Sequence, residues 1–269
     1  MKINKGYHIL IILILSVLFT ISLSQNFIQR DFLMKDENIG LTSNYLGDFS
    51  RNITTPINCT TLTYLNGYIW AVNLDNPKQI YQLNPSTGAE KLHLTLSFDV
   101  NSICNDGTYL YVSVGVLNNN TIYKLDISGT ILSNIKITNI SIPTPYAING
   151  LLWLNNYLWA AFASSSEFHL YRVDPGTGIA KLKLVLPDRI SGLTYYGGFI
   201  WGVADFSNAI YAIDINTGEF VEWFPVGSGV GDWGITCNST HFILSDYNNE
   251  KLMFTRIPTK QGEVFVKYA

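Results

Sequence analysis

Charged side chains are scarce in this chain, 14% of its 269 residues against about 25% in an average soluble protein. Acidic residues at the ends of strand-like segments therefore stand out. Asp75, Asp99, Asp188, Asp205, Asp232 and Asp246 occupy such places, with Arg189 and Trp233 beside two of them. Carboxylates brought together could hold Ca²⁺ or another divalent cation, which needs about six to eight oxygens. They could equally serve as a general acid and base. The competing reading is that each Asp closes a turn by bonding a backbone N–H two residues on. Asp205 and Asp246 stand at matching places in the repeat described below, as structural residues would. Trp233 could stack on a sugar or peptide, or pack over a channel. The run Gly227-Ser228-Gly229-Val230-Gly231 is followed by strand-like residues. Glycine runs that cradle phosphate open a helix, so nucleotide binding is excluded on context. Histidines 8, 93, 169 and 241 show no metal-ligand spacing.

The elements that must position these residues form an internal repeat. An aromatic strand recurs as Tyr68-Ile69-Trp70-Ala71-Val72, Tyr109-Leu110-Tyr111-Val112-Ser113, Tyr157-Leu158-Trp159-Ala160-Ala161 and Phe199-Ile200-Trp201-Gly202-Val203, with a weaker copy at Phe242-Ile243-Leu244-Ser245. Trp70, Tyr111, Trp159, Trp201 and Ile243 are spaced by 41, 48, 42 and 42 residues. A second strand follows each copy and ends in a turn, as in Leu170-Tyr171-Arg172-Val173-Asp174-Pro175-Gly176-Thr177-Gly178. There Asp or Asn bonds locally and Gly accepts positive φ. A third strand precedes each aromatic one (Thr61-Leu62, Ser102-Ile103, Gly150-Leu151, Gly192-Leu193, Gly234-Ile235), and a fourth follows the turn, the last at Glu263 to Tyr268.

The aromatic strands are apolar on both faces, whereas a sandwich strand with one face in water alternates. Each four-stranded sheet must therefore be covered on both sides, which radial packing of blades achieves. The predicted fold is an all-β propeller of about five four-stranded blades over residues 57–269, after an N-terminal signal or anchor helix. Loops between second and third strands share one face with the loops joining blades. That face collects Asp75, Asp99, Asn119, Glu167, Asp188, Arg189, Asp205, Asp232, Trp233 and Asp246. The repeated Tyr81, Tyr123, Tyr171 and Tyr211 read as blade packing.

Residues 1–24 carry Lys2 and Lys5, an apolar run from Ile9 to Phe19, and Ser22-Leu23-Ser24. That is the order of a secretory signal; an uncleaved anchor is the alternative. Both place the body outside the cytoplasm, with membrane contact only through an uncleaved N-terminal segment. Residues 25–56 form a polar lead, either a stalk or a strand that helps close the ring. Sequons at Asn52, Asn58, Asn119, Asn139 and Asn238 offer glycosylation. Cys59, Cys104 and Cys237 permit one bridge in any of three pairings. A formal net charge of −3 excludes nucleic acid as a partner, since phosphate binding needs clustered cations.

Gly192-Leu193-Thr194-Tyr195, Phe199-Ile200-Trp201-Gly202-Val203-Ala204-Asp205 and Ile210-Tyr211-Ala212-Ile213-Asp214 to Gly218 resemble blades of the NHL, YncE and streptogramin-lyase-like propellers. The resemblance covers most of residues 57–269 and implies architecture rather than activity. Its members usually have more blades than five. Plant-type glutaminyl cyclases resemble this chain in size and blade count, but their catalytic glutamate motifs have no match here, so no residue roles are carried over. The functional expectation is a secreted or surface-tethered module recognising protein or glycan. The alternative is a propeller lyase, cyclotransferase or hydrolase that uses channel carboxylates, with or without a divalent metal.

Overall fold

A computed structural model of the chain describes residues 49–73, 75–207, 209–225 and 232–256. The signal or anchor expected over residues 1–24 lies outside the described residues, as do most of the lead and the strand expected at Glu263 to Tyr268. Among the described residues, no helix is long and apolar enough to cross a membrane.

Strand β1 (Phe49–Thr54) comes first. Blade one is β2 (Cys59–Leu65), β3 (Tyr68–Asn73), β4 (Gln79–Leu83) and β5 (Glu90–Thr95). Blade two is β6 (Val100–Asn105), β7 (Leu110–Val114), β8 (Thr121–Leu125) and β9 (Ile131–Lys136). Blade three is β10 (Tyr146–Leu154), β11 (Tyr157–Ser164), β12 (Phe168–Val173) and β13 (Ala180–Val185). Blade four is β14 (Ile190–Tyr196), β15 (Phe199–Ala204), β16 (Ala209–Asp214) and β17 (Phe220–Pro225). Blade five holds β18 (Asp232–Cys237), β19 (His241–Asp246) and β20 (Lys251–Arg256), and its fourth strand is β1. All pairings within the blades are antiparallel. The innermost strands pack in sequence and β18 packs on β2, so the ring closes.

The lead segment thus supplies the closing strand, and the propeller begins at Phe49 rather than at residue 57. The edge of β20 would otherwise offer unpaired N–H and C=O groups. A strand from the opposite end of the chain covers that edge and ties the last blade to the start of the chain.

Burial follows the reading of two-sided sheets. Every residue of β7 is buried, and β3, β11, β15 and β19 are buried along nearly their whole length. The outer β9 is exposed except at Ile135. The core divides into five clusters, each between two neighbouring blades. Trp70 and Val72 pack with Ile103 and Val112, and Tyr111 with Leu151 and Phe162. Trp159 packs with Leu193 and Ile200, Trp201 with Ile235 and Phe242, and Ile243 and Phe254 with Leu62 and Ile69. Aromatic side chains supply much of this area, and each buries enough to be worth several kcal/mol, roughly 25 cal/mol per Å².

The outer turns are closed as expected. Asp174 Oδ1 accepts from the N–H of Gly176 (2.8 Å) and Thr177 (3.1 Å). Asn84 and Asp214 accept from the equivalent pairs. The turns also lock blades together. Gly178 has φ +73°, and a Cβ there would lie 2.1 Å from the Lys136 carbonyl of blade two. Thr138 N donates to Gly178 O at 2.9 Å, and Ala180 N to Thr138 O at 3.0 Å. Gly88 meets Thr54 of β1 in the same way, at 2.0 Å.

No bridge forms among the cysteines: Cys59, Cys104 and Cys237 are all free thiols. They sit on the inner strands of blades one, two and five. Cys59 and Cys104 are buried, and burial pushes the Cys59 thiol up to about 12 and Cys104 higher still.

Two expectations follow from the packing. Gly178→Ala is expected to cost more than about 2 kcal/mol, since left-handed backbone alone costs about 1–2 kcal/mol for an alanine and the Lys136 carbonyl must also move. Gly67→Ala, with φ +80° but nothing within 4 Å of its Cβ, should show the conformational cost alone; equal losses in urea unfolding would refute the clash. Thiol labelling of the native protein should modify Cys237 first, with Cys59 and Cys104 reacting only as the chain unfolds. Fast native labelling of all three would contradict their burial.

Candidate functional site

Each innermost strand carries a register irregularity near its start. In blades two, three and four a single extra residue enters: Asn101, Asn149 and Ser191. In blade one it falls within Thr60-Thr61, and in blade five within Trp233-Gly234. A bulge leaves its extra residue out of the ladder and re-aims its side chain. The glycines that follow let the strands crowd: a Cβ on Gly192 would lie 2.7 Å from Ile235 N, and one on Gly234 2.7 Å from Thr60 O.

The bulges of blades one to four open onto one cavity of about 370 Å³ at the mouth of the central channel. Thr60, Thr61, Asn101, Asn149 and Ser191 line it, together with Asp99, Arg189 and Asp205. The Asn101 amide is anchored to the next blade and the Thr60 hydroxyl within its own. Asn101 Nδ2 donates to Ile148 O (2.8 Å) and toward Asn149 Oδ1 (3.4 Å), and Thr60 Oγ1 donates to Val72 O (3.3 Å).

Arg189 and Asp205 form an ion pair, with Nε donating to Oδ2, and Ser191 Oγ donates to Oδ1. The guanidinium lies 5.2 Å from the centroid of the Phe206 ring, and Phe206 is 67% exposed. Burial raises Asp205 above the usual aspartate range. The bond from Ser191 and the Arg189 charge oppose that rise, and the nearby Asp188 adds to it.

Of the residues expected on this face, Asp99, Arg189 and Asp205 come together. Asp75 is exposed and accepts from Asn58 Nδ2 at 3.0 Å. Asp188 is buried and structural, accepting from the N–H of Arg189 (2.6 Å), Phe206 (3.2 Å) and Ser207 (2.8 Å). Asp246 is buried too, with Oδ2 accepting from Asn249 at 2.8 Å and Oδ1 unpartnered. Asp205 and Asp246 are not equivalent. Leu193 faces Gly202 and Ile235 faces Leu244, so Asp246 matches Ala204 and Asp205 lies one residue later. Asp232 and Trp233 open β18, where only their backbone is described, and residues 226–231 lie outside the described residues. Among the described residues, no three His, Cys, Asp or Glu side chains converge as a metal centre.

Sequence reasoning missed Thr60, Asn101, Asn149 and Ser191. Their signal was present: each immediately precedes the third recurring piece, and all four are small and polar.

No protein-family model matches the chain, and no curated protein matches it. Solved structures do. Glutaminyl cyclase from Myxococcus xanthus superposes with a TM-score of 0.63 at 15% identity, over 78% of this chain and 95% of that one. A chain of the nidogen/laminin complex gives 0.51 at 11% identity, over 71% and 72%. Virginiamycin B lyase from Staphylococcus aureus gives 0.44 at 19%, over 74% and 66%. The chain is a five-bladed β-propeller. At these identities the likeness is one of fold, the level at which the blade motifs resembled the YncE and streptogramin-lyase-like propellers.

The raised Asp205 makes a pH prediction. The native state keeps its proton to higher pH than the unfolded chain. This group's contribution to stability is therefore complete below the ordinary aspartate value of about 3.9 and is lost as pH rises through the raised native value. The melting-temperature gap between wild type and Asp205→Asn should narrow over that window. A gap independent of pH would contradict the shift.

Proposed function

We propose that this propeller is an extracytoplasmic recognition module, which holds the polar end group of a protein or glycan ligand in the channel-mouth cavity. The observation that carries the reading is the convergence of Thr60, Asn101, Asn149 and Ser191 on one cavity from four blades. A concave site with a few convergent polar groups is the usual form of a small-ligand pocket. Phe206 on the adjoining loop offers an exposed ring against which a sugar or peptide could stack. The secretion signal or anchor read at residues 1–24 supports the compartment. The sequons at Asn52, Asn58, Asn119, Asn139 and Asn238 are proposed glycan acceptors in a secretory route.

One observation favours a second reading as an enzyme. Asp99 and Asp205 line the same cavity, and burial raises Asp205. A carboxyl whose protonated form is favoured by burial, sharing a cavity with a second carboxyl, has the components of general acid–base chemistry.

The test is an array of glycans and short peptides probed with the purified propeller and with Asn149→Leu. Loss of one buried hydrogen bond to ligand costs about 1–3 kcal/mol, so the variant should bind hits about tenfold or more weakly. Hits that Asn149→Leu leaves unweakened would place binding elsewhere. Hits converted to a new product would favour the enzyme.

A further inference from the structure

We propose that the channel-mouth cavity takes a zwitterion: a small molecule with one ammonium and one carboxylate group, set against Asp99 and Arg189. The proposal rests on reading that cavity as a recognition site. It starts from how Asp205 is used. One oxygen accepts from Ser191 and the other from Arg189 Nε. Each Asp205 oxygen thus takes one bond from within the protein, and the carboxylate holds the guanidinium by its inner nitrogen. Among the described residues, the two outer Nη groups of Arg189 have no hydrogen-bond partner, and the side chain is 35% exposed. They remain as a planar fork of the kind that matches a carboxylate.

Asp99 supplies the opposite charge. It is half-buried in the same cavity, and its carboxylate makes no hydrogen bond or ion pair among the described residues. Its backbone is held, with Asp99 O accepting from Gly115 N at 2.7 Å.

A guanidinium with unbonded outer N–H groups and an unpaired carboxylate in one cavity would ordinarily bond to each other, because a partly desolvated polar or charged group is costly without a partner. The ring prevents it. Asp99 precedes β6 of blade two and Arg189 precedes β14 of blade four, with β10 of blade three between them. Ala147 and Asn149 of that strand line the intervening wall. A ligand carrying only an ammonium would satisfy Asp99 and leave the Arg189 fork bare. A carboxylate alone would meet Arg189 with Asp99 opposing it. A zwitterion satisfies both, and Thr60, Thr61, Asn101 and Asn149 supply uncharged donors and acceptors for the rest of the molecule.

The experiment is calorimetric titration of the purified propeller with the common L-amino acids and the linear ω-amino acids from glycine to aminohexanoate. Alkylammonium and alkanoate ions of matched length are the controls, at fixed ionic strength. At least one zwitterion should bind tenfold or more tightly than both of its matched controls. Asp99→Asn should reduce that zwitterion to the affinity of the alkanoate, and Arg189→Gln to that of the alkylammonium. Arg189→Lys, which keeps the charge but loses the fork, should fall between. Melting curves of each variant establish that it is folded. Equal affinity for zwitterion and control, or a preference that both variants retain, overturns the proposal. If no zwitterion binds while a neutral glycan or blocked peptide binds in an Asn149-dependent way, the proposal fails and the recognition reading stands. If neither class binds, both fail.

Discussion

The structure depends on hiding sheets that are apolar on both faces. No single blade can bury Trp70, Tyr111, Trp159 or Trp201 by itself, because each sheet is one layer thick. Each blade is therefore covered by its neighbours, and the core is five interfaces rather than one centre. Such an arrangement has no free end: a missing interface would expose aromatic area on two blades at once. Closure is consequently a covalent matter as well as a packing one. β1, from the N-terminal side, completes the sheet that β18 to β20 begin.

The same crowding makes the site. Toward the axis the wedge narrows until inner strands nearly touch, and glycines at 150, 192 and 234 take up the closest approaches. Each inner strand bulges near that point. A bulge increases local twist and relieves the mismatch between a strand that must turn into the channel mouth and partners that do not. Its by-product, in blades one to four, is a polar side chain released from the ladder and directed to a common space. Closure, bulge and cavity are thus successive consequences of one geometric constraint.

Electrostatics then differentiate the positions. Asp188 and Asp205 lie close in sequence yet do opposite work. Asp188 is consumed by three backbone N–H groups and holds the loop after β15. Asp205 orients Arg189 within the cavity. Asp188 is structural, but not through a local turn: besides the N–H of Arg189 it takes those of Phe206 and Ser207, 18 and 19 residues on. For Asp246 the side chain does bond locally, to Asn249, but it is sealed inside blade five. The assumption that Asp205 and Asp246 match failed by one residue. In strands of period two, that shift is enough to exchange one environment for another.

Blade number, the strand order of the first four blades, the Asx-closed outer turns and the wet outermost strands were all legible in the sequence, because each rests on local spacing and on which faces are greasy. Even the polar residue before each inner strand was visible there as a recurring letter. Tertiary structure alone decided which letters meet. Thr60 and Ser191 are far apart in sequence and share a wall only because the ring closes. Asp99 and Arg189 share one without touching because blade three stands between them. It also decided that the N-terminal lead would finish the last blade and that three cysteines would remain thiols. Periodicity specifies what a segment must bury. Where its side chains point at a bulge, and what they face across an axis, depends on the closure of all five blades together.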